Sequence, residues 1–499
     1  LYPAIWATVW LLATGVNPRR VRDAINGGFR VPSAAACARC GAACVFSRMI
    51  APMSPNADPK PTGDRTNVLL VGSGGREHAL AAALVRSPGL GDLWLATPGN
   101  AGLASLGRPI DFVPTKREIY RLVQFCDHKR IGLVVIGPED PLAEGWADAL
   151  RAPHRRVFGP GADGARLEAD KAWAKQLMRG AAVPTAEGRA FSDPQAAIAF
   201  LESRDEPQVI KAAGLAKGKG VVLPESLDEA RAAIDRIMRQ RIFGEAGRTV
   251  VIEERLKGPE VSVLALVDGR SIHVLPPCQD HKRLRDGDAG PNTGGMGAFC
   301  PAEWIDDEMM SRIERQILVP TVDALRRDGI DFCGVLYAGL ILTPGGPKVL
   351  EFNTRFGDPE CQPLMSRFRG DLLRTLLAAC DRRLDQIDLE WDPRPAVCVV
   401  LASEGYPESP RTGVPIEGLA EASEIEGVTV YHAGTTIDER GRVVTSGGRV
   451  LGVTALGDTM AEARERAYAA CGRIRFEGMV YRHDIALRAA PVERPVSQA

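Results

Sequence analysis

The feature that most restricts the fold is a repeated succession of strand, turn and helix. The apolar run VLLVG begins at Val68 and is followed by a glycine-rich turn and a helical pattern. Two further apolar runs, at 93–97 and 133–137, alternate with helical stretches. Alternating strands and helices of this kind predict an α/β fold whose strands form an open parallel sheet.

The turns that follow these strands are predicted ligand-binding loops. Open α/β sheets bind ligands at the carboxyl ends of their strands, where Gly74, Gly75 and the segment Gly137-Pro138-Glu139 fall. A glycine-rich turn at the start of a helix also exposes backbone N–H groups that favour an anion. The turn is a poor dinucleotide fingerprint, because Glu77 takes the place of the last glycine in G-x-G-x-x-G. Ordinary turn chemistry is the alternative interpretation.

The next region carries lysines at positions suited to phosphate. Residues 165–180 have the pattern of one helix that carries Lys171, and residues 208–223 have the pattern of two strands joined by a glycine-rich loop with Lys219. A flexible loop with ammonium groups can fold over a polyphosphate, although a basic hairpin without a ligand has the same pattern. Residues 278–298 are rich in Gly, Asp, Asn and Pro, which predicts an irregular functional loop.

The segment KVLEFNTRFGDPE, residues 348–360, is the predicted centre of the chemistry. Side chains two apart on a strand point to one face, so Glu351, Asn353 and, if the strand persists, Arg355 are predicted to share a face. Hard oxygen ligands suit Mg²⁺, which is usually held by one or two protein groups beside substrate phosphates. The guanidinium is suited to clamp a phosphate or a carboxylate. A solvated strand face followed by a turn is the alternative interpretation.

Charge and cysteine content argue against several classes of function. The 499-residue chain has a formal net charge of -1, which does not favour bulk binding to nucleic acid or to an anionic membrane. Eleven cysteines, most of them in apolar runs, fit reduced thiols in the cytoplasm better than a disulfide framework. The apolar run at 4–16 is too short to span a bilayer.

Together these motifs resemble the glycinamide ribonucleotide synthetase family of the ATP-grasp superfamily. The resemblance covers roughly residues 67–487. The matching segments are GSGGREHA (72–79), PGNAG (98–102), GPEDPL (137–142), KAAGLAKGKGV (211–221), IEERLKGPEVS (252–262), QDHKR (279–283), GPNTGGMGA (290–298), LYAGL (336–340), EFNTRFGDPE (351–360), HAGT (432–435) and TSGGRVL (445–451). The combination of QDHKR, GPNTGGMGA and EFNTRFGDPE is the most specific part of this set.

The resemblance implies both an architecture and a reaction. An N-terminal open parallel-sheet domain is expected at 67–168, an ATP-grasp domain at 169–388 with a small lid at about 186–258, and a small α+β domain at 389–490. Residues 1–66 are expected to be a disordered leader, either a transit peptide or translated sequence upstream of the real start. The implied reaction joins glycine to 5-phosphoribosylamine with ATP, through a glycyl phosphate, in purine biosynthesis. No covalent enzyme nucleophile is implied, and therefore no catalytic cysteine.

Residue roles follow from the resemblance, motif by motif. Glu351 and Asn353 are the expected ligands of Mg²⁺ or Mn²⁺. The expected ATP-binding residues are Lys171, Lys211, Lys219, Glu253, Glu254, Leu256 and Glu260. The expected catalytic residues are Arg355, Asp280, Lys282 and Arg283. The expected substrate-binding residues are Gly74, Gly75, Gly137, Pro138, Glu139, Asn292, Thr293, Gly294 and Gly295.

The expected partners are the small molecules glycine, 5-phosphoribosylamine and ATP, with no nucleic acid and no membrane, for a cytoplasmic monomer or weak oligomer. The chain departs from the family pattern at Ala213 and Lys217 in the phosphate hairpin and at Arg285 and Ala289 in the substrate loop. These departures affect the expected turnover rather than the class of reaction. The alternatives are another ATP-grasp carboxylate–amine ligase, a carboxylase, or a nucleotide-binding homologue without catalytic activity.

Overall fold

The computed structural model describes residues 65–97, 99–216 and 218–487. These residues belong to one compact unit that spans 62–499. The predicted leader lies outside the described residues except for its last two positions, and Lys217 also lies outside them. Among the helices of the described ranges, none combines the length and apolar character needed to cross a membrane.

The first part of the described chain is the predicted parallel sheet. All its strand pairs are parallel, in the order β3-β2-β1-β4-β5. The strands are β1 Thr66–Val71, β2 Leu90–Leu95, β3 Arg108–Pro109, β4 Ile131–Ile136 and β5 Arg156–Phe158. The helices are α1 Gly75–Leu84, α2 Leu103–Leu106, α3 Ile119–His128, α4 Glu139–Ala143 and α5 Trp146–Leu150. Both faces of the central strands are buried, which explains why their sequences are apolar throughout rather than alternating.

The helix predicted at 165–180 is two helices, α6 Ala162–Ala169 and α7 Lys171–Gly180. The break is at Asp170, whose backbone is not helical and whose carboxylate accepts a 3.0 Å hydrogen bond from the backbone N–H of Trp173. Aspartate competes well for this capping position because its short carboxylate satisfies an N–H that has no partner in the helix. The prediction of one continuous helix is therefore wrong.

A small antiparallel sheet follows, in the order β6-β9-β7-β8. Its strands are β6 Gly188–Phe191, β7 Gln208–Ala212, β8 Val221–Val222 and β9 Val250–Glu254, and its helices are α8 Pro194–Glu202 and α9 Leu227–Ile234. The sheet and its helices bury an apolar cluster of their own. The hairpin of β7 and β8 is the one predicted to fold over a polyphosphate, and it forms as predicted with a short second strand.

The central body contains the predicted hairpin that ends in KVLEFN. A four-stranded antiparallel sheet has the order β11-β10-β16-β17. The strands of this region are β10 Glu260–Asp268, β11 Ile272–Val274, β12 Gln279–Asp280, β13 Arg283–Arg285, β14 Ala289–Asn292, β15 Gly297–Cys300, β16 Cys333–Thr343 and β17 Gly346–Asn353. The helices are α10 Asp307–Ile313, α11 Val319–Arg327, α12 Cys361–Arg367 and α13 Leu372–Cys380.

The prediction of irregular structure at 278–298 is wrong. Strands β13 and β14 form a two-stranded antiparallel ribbon, and β12 pairs with β15. Asp286, Gly287 and Asp288 form the tight turn of the ribbon, where Gly287 and Asp288 have positive φ angles of 68° and 54°. Gly and Asp favour such a turn without preventing the flanking residues from pairing.

The last part of the chain completes a five-stranded antiparallel sheet of order β12-β15-β18-β22-β19. Its elements are β18 Ala396–Ala402, α14 Leu419–Ser423, β19 Val428–His432, β20 Thr435–Ile437, β21 Val443–Thr445, β22 Arg449–Leu456 and α15 Met460–Cys471. Because β12 and β15 precede residue 389 and β18 follows it, one sheet takes strands from both sides of that position.

Candidate active site

The candidate site is a cleft of about 1250 Å³ between the loops after β1 and β4, the small antiparallel sheet, β17 and the loops beside β18 and β22. Most of the residues predicted from the sequence line it. They are Gly74, Pro138, Glu139, Lys171, Lys211, Lys219, Glu253, Glu254, Leu256, Glu260, Asp280, Lys282, Arg283, Asn292, Thr293, Gly294, Glu351, Asn353 and Arg355. Gly75, Gly137 and Gly295 do not line the cleft.

A β-bulge in β17 places the predicted metal ligands in the cleft. Gly339 of β16 is opposite Glu351, but the next residue, Leu340, is opposite Val349, so Leu350 is the extra residue. Val349 is fully buried in the core, whereas Glu351 and Asn353 line the cleft. A bulge of this kind re-aims the side chains that follow it. The predicted shared face of Glu351 and Asn353 is therefore present.

Arg355 lies just beyond the end of β17 and is held by two carboxylates. Its Nη2 is 3.0 Å from Glu168 Oε1 and 3.3 Å from Asn353 Oδ1, and its Nε is 3.4 Å from Glu139 Oε2. Glu168 also accepts a 2.8 Å hydrogen bond from the backbone N–H of Thr354. Burial would lower the pKa of Arg355, but the carboxylate of Glu168, followed by that of Glu139, raises it. The guanidinium is thus a fixed positive charge beside the Glu351–Asn353 pair.

Two lysines share the buried carboxylate of Glu253. Lys211 Nζ is 2.8 Å from Glu253 Oε2, and Lys175 Nζ is 2.8 Å from Glu253 Oε1. Lys211 also donates a 2.9 Å hydrogen bond to the carbonyl of Leu350, the bulge residue. An ammonium group has three donors, so Lys211 has one donor left for a ligand. Lys175, in contrast, is satisfied within the protein, since its other donors reach Thr185 Oγ1 at 2.8 Å and the Ala186 carbonyl at 2.9 Å.

Lys282 lies among carboxylates in the cleft. Lys282 Nζ is 3.2 Å from Glu260 Oε2 and 3.9 Å from Glu351 Oε1. Burial raises the pKa of Asp280 to about 7, with Lys282 opposing this shift and nearby carboxylates adding to it. Burial would also raise the pKa of Glu351, but the surrounding ammonium groups, Lys282 first among them, hold it below its ordinary value. Glu351 therefore stays an anion in the cleft.

The glycine turn after β1 is occupied by the chain's own carboxylate. Glu77 accepts a 2.6 Å hydrogen bond from the backbone N–H of Gly74, and its other oxygen is 2.6 Å from Arg76 Nε. A Cβ at Gly137 would overlap Glu77 Oε1, and a Cβ at Gly72 would lie 2.6 Å from the Glu77 carboxyl carbon. These glycines thus make room for Glu77, so the anion expected at this helix N-terminus is already supplied by the protein.

The lysine loop of the small sheet reaches the C-terminal part of the chain. Lys219 Nζ donates a 2.9 Å hydrogen bond to the carbonyl of Pro407. The neighbouring Tyr406 hydroxyl accepts a 2.9 Å hydrogen bond from the backbone N–H of Gly294. The loop between β18 and α14 therefore contacts both the lysine loop and the Asn292–Gly295 segment at the mouth of the cleft.

A buried arginine near the C-terminus anchors the ribbon of β13 and β14. The Arg482 side chain is only 1% exposed. Its Nη1 donates to the carbonyl of Arg283 at 3.1 Å and to Asp288 Oδ1 at 2.8 Å. Its Nε and Nη2 each donate to Asp484 at 2.7 Å, and Asp484 in turn accepts from the backbone N–H of Gly287 at 2.8 Å. The ribbon that carries Arg283 and Asn292 is thus tied to the end of the described chain.

Sequence reasoning missed several residues that build the site. Asp358 and Glu360 lie in the motif EFNTRFGDPE and Arg449 lies in TSGGRVL, but none of these three residues was given a role. Glu360 is buried and accepts a 2.7 Å hydrogen bond from the Tyr337 hydroxyl. Glu168 and Arg482 carried no local signal, because each acts on residues far away in the sequence.

A parallel-sheet domain, a small antiparallel sheet that carries lysines, and a strand that carries carboxylate and amide ligands define an ATP-grasp enzyme. The chain matches the family phosphoribosylglycinamide synthetase in three consecutive parts: the N domain at 66–168, the ATP-grasp (A) domain at 169–361 and the C domain at 396–488. The protein therefore belongs to the phosphoribosylglycinamide synthetase family. The α/β ATP-grasp fold predicted from the sequence is confirmed.

Individual relatives agree with this membership. The chain is 50% identical over 430 residues to the phosphoribosylamine–glycine ligase of Rhodopirellula baltica, covering 85% of this chain and 98% of the relative. The crystal structure of the phosphoribosylamine–glycine ligase of Thermotoga maritima is similar with a TM-score of 0.72 at 34% identity, covering 84% of this chain and 100% of that chain. The biotin carboxylase domain of Hydrogenobacter thermophilus 2-oxoglutarate carboxylase has a TM-score of 0.65 at 15% identity, with 84% and 92% covered, which shows the fold alone. ATP-grasp proteins bind ATP with divalent metal ions.

Proposed function

We propose that this protein joins glycine to 5-phosphoribosylamine at the expense of ATP, giving glycinamide ribonucleotide, ADP and phosphate in purine biosynthesis. The observation that carries the proposal is that Glu351, Asn353 and Arg355 line one cleft. The lysines predicted to contact the ATP phosphates, Lys171, Lys211 and Lys219, line the same cleft. We also propose that the protein is cytoplasmic and is a monomer or weak oligomer. The division into domains at 67–168, 169–388 and 389–490 is part of the same proposal.

ATP is proposed to lie between the small antiparallel sheet and β17. Lys171 and Lys211 would contact its phosphates, and Lys219 would cover them from the loop between β7 and β8. The bend from Glu253 to Leu256 would hold the adenine through its backbone, and Glu260 would accept from the ribose hydroxyls. The Glu253 carboxylate, which contacts Lys175 and Lys211, would also position the phosphate-binding ammonium group.

A divalent cation, Mg²⁺ or Mn²⁺, is proposed to bind at Glu351 and Asn353. The residues present fit such an ion, because a carboxylate that stays ionised stands two positions from an amide oxygen on one side of the cleft. Among the described residues, no group of three or more His, Cys, Asp and Glu side chains could hold a metal. This fits an ion held by few protein ligands, with phosphate oxygens and water as the rest. When bound, the ion would neutralise phosphate charge.

Glycine is proposed to bind against the wall formed by Asp280, Lys282 and Arg283, closed by the Asn292–Gly295 segment. The glycine carboxylate would attack the γ-phosphoryl group of ATP and give glycyl phosphate and ADP. Arg355, held rigid by Glu168, would stabilise the charge on the transferring group. Catalysis in this scheme is positioning and charge neutralisation, and no enzyme atom becomes covalently bound.

5-Phosphoribosylamine is proposed to bind at the N-terminal side, near Gly74, Pro138 and Glu139, with Gly75 and Gly137 shaping the loops from behind. An adjoining cavity of about 490 Å³ shares Gly74 with the main cleft and is also lined by Thr435, Ser446 and Arg449. Hydroxyl groups and a guanidinium suit the 5-phosphate. The amine would then displace phosphate from glycyl phosphate and form the amide bond.

A product assay tests this function. The purified chain is given ATP, glycine and 5-phosphoribosylamine with Mg²⁺, and glycinamide ribonucleotide and ADP are measured, with Mn²⁺ in a parallel series. Glu351→Gln and Asn353→Ala should each lower turnover at least about 100-fold, because the proposed ion supplies several kcal/mol to the transition state.

Asp323→Asn, which alters an exposed carboxylate on α11, is the matched control and should keep normal turnover. ADP release that depends on bicarbonate instead of 5-phosphoribosylamine would assign the cleft to a carboxylase. Near-normal product formation by either cleft variant would remove the metal assignment.

A further inference from the structure

Two cysteines stand apart from the other described cysteines. Of the eight in the described ranges, six are buried, and only Cys333 and Cys380 are partly exposed. These two are also neighbours, with their sulfur atoms 4.0 Å apart. Accessibility and proximity therefore coincide in one pair that the proposed ligase reaction does not use.

The backbone on both sides of this pair is fixed by independent contacts. Cys333 is the first residue of β16 and is opposite Asp268 in β10. Cys380 is the last residue of α13, and just after it the backbone N–H of Leu384 donates a 3.1 Å hydrogen bond to Asp268. Asp331 and Arg382 also join the two segments through a 2.8 Å ion pair. These contacts hold the two backbone segments that carry the cysteines beside each other.

We propose that Cys333 and Cys380 form a reactive dithiol, a modification site that accepts oxidants of the small-disulfide class and closes to an intramolecular disulfide. A disulfide needs its sulfur atoms about 2.05 Å apart, so closure requires a side-chain movement of about 2 Å. Because Cys333 and Cys380 are partly exposed, a small disulfide can reach them, whereas it cannot reach the buried cysteines.

The chemistry balances with a small disulfide as the oxidant. The Cys333 thiolate attacks one sulfur of the reagent, forms a mixed disulfide and expels one reagent thiolate. The Cys380 thiolate then attacks the Cys333 sulfur and expels the second reagent thiolate. Two protein thiols lose two electrons and two protons, and the reagent is reduced to two thiols. The hydrogen bond that Cys380 shares with Cys333, together with burial, raises the pKa of Cys380, which makes Cys380 a poor first nucleophile.

The pair is separated from the proposed active site. Tyr337, four residues beyond Cys333 on β16, is opposite Asn353. At about 3.3 Å per strand residue, this places Cys333 about 13 Å along the strand from the metal-binding end of β17. The cross-link should therefore tie β16 to α13 without entering the cleft. We expect turnover to stay within about twofold, and the melting temperature of the oxidised chain to rise by several degrees.

Peptide mapping of the whole chain tests the proposal. The reduced protein is incubated with oxidised glutathione, remaining thiols are alkylated, and the digest is examined by mass spectrometry. The expected product is a Cys333–Cys380 cross-linked peptide that disappears after reduction. Cys333→Ser and Cys380→Ser should each abolish this peptide. Cys278, which is buried beside Cys300, should react with the alkylating reagent only after the protein is unfolded.

Phenylarsine oxide, which binds two adjacent thiols at once, supplies a second measurement. It should protect Cys333 and Cys380 together from alkylation, and neither serine variant should be protected. Two results would overturn the proposal: both residues recovered as free thiols after the oxidant, or both found only as separate glutathione adducts. Mapping also separates this pair from Cys37, Cys40 and Cys44, which lie outside the described residues.

Discussion

Replacing Arg482 with methionine should lower the use of glycine without affecting the binding of ATP. Methionine has similar length but no donors, so the substitution removes the hydrogen bonds that tie the ribbon of β13 and β14 to the C-terminal segment. The ribbon carries Arg283 and Asn292 on the proposed glycine side of the cleft. The lysines proposed to contact ATP lie on α7, β7 and the loop after β7, which Arg482 does not contact.

The magnitude follows from the two contacts between Arg482 and the ribbon. A hydrogen bond to a charged group contributes about 1.5–3 kcal/mol, which applies to the bond with the Arg283 carbonyl. The Asp288 side chain is 72% exposed, so its ion pair adds only about 0–1 kcal/mol. Together the contacts favour the docked ribbon by about 1.5–4 kcal/mol, which is a factor of roughly 10–900. We therefore expect kcat/KM for glycine to fall at least about 10-fold.

The assay compares steady-state kinetics for glycine with the calorimetric dissociation constant for ATP. Arg464→Met is the matched control, because Arg464 holds the same C-terminal segment through the carbonyls of His483 and Ile485 but does not contact the ribbon. Arg482→Lys should recover part of the activity, because its ammonium group can still donate hydrogen bonds to some of these acceptors. The reasoning is refuted if folded Arg482→Met uses glycine normally, or if Arg464→Met loses as much activity.

Three further outcomes are expected. Lys211→Ala and Glu253→Gln should both raise KM for ATP strongly and KM for glycine little, because Glu253 holds the ammonium group of Lys211; a change confined to glycine would contradict this. Cys361→Ser should keep normal activity in a product assay, because burial raises the pKa of this thiol, which donates to the backbone carbonyl of Arg76 rather than to a base. Burial lowers the pKa of His78 to about 3, so between about pH 6.5 and pH 3 the unfolded state binds more protons and stability should fall on acidification. At pH 4 the free energy of unfolding should be about 3 kcal/mol lower than at neutral pH because of this histidine. In thermal melts, the free energy of unfolding of His78→Gln should fall with pH less steeply, by about 1.4 kcal/mol per pH unit, and an unchanged slope would contradict this prediction.

The sequence was sufficient where a pattern is local. Parallel strands read as apolar runs because both faces are buried, and the turn after each strand marks the ligand-binding edge of the sheet. The E-x-N spacing on β17 also follows from local geometry, since alternate side chains share a face. These features predict the first sheet, the lysine hairpin and the placement of Glu351 and Asn353.

The sequence was insufficient where a residue serves a distant partner. Glu168 fixes Arg355 across 187 positions of sequence, and Arg482 fixes Arg283 across 199. Nothing in the neighbourhood of either residue distinguishes it from a surface charge. At the glycine turn after β1, the sequence predicted a helix N-terminus that is free to bind an anion. In the structure the carboxylate of Glu77, three residues after Gly74, occupies this position. Asp170 similarly ended a helix whose periodicity continued through it.

The bulge at Leu350 shows how little sequence distance separates the core from the cleft. In a regular strand Val349, Glu351 and Asn353 would share a face, and Phe352 would point the other way. In this protein Val349 and Phe352 both lie in the core, although they are three residues apart. Only an extra residue between them permits that arrangement, and it turns the carboxylate and the amide into the cleft. The same residue offers its carbonyl to Lys211, so one irregularity positions the proposed metal ligands and a phosphate-binding lysine together.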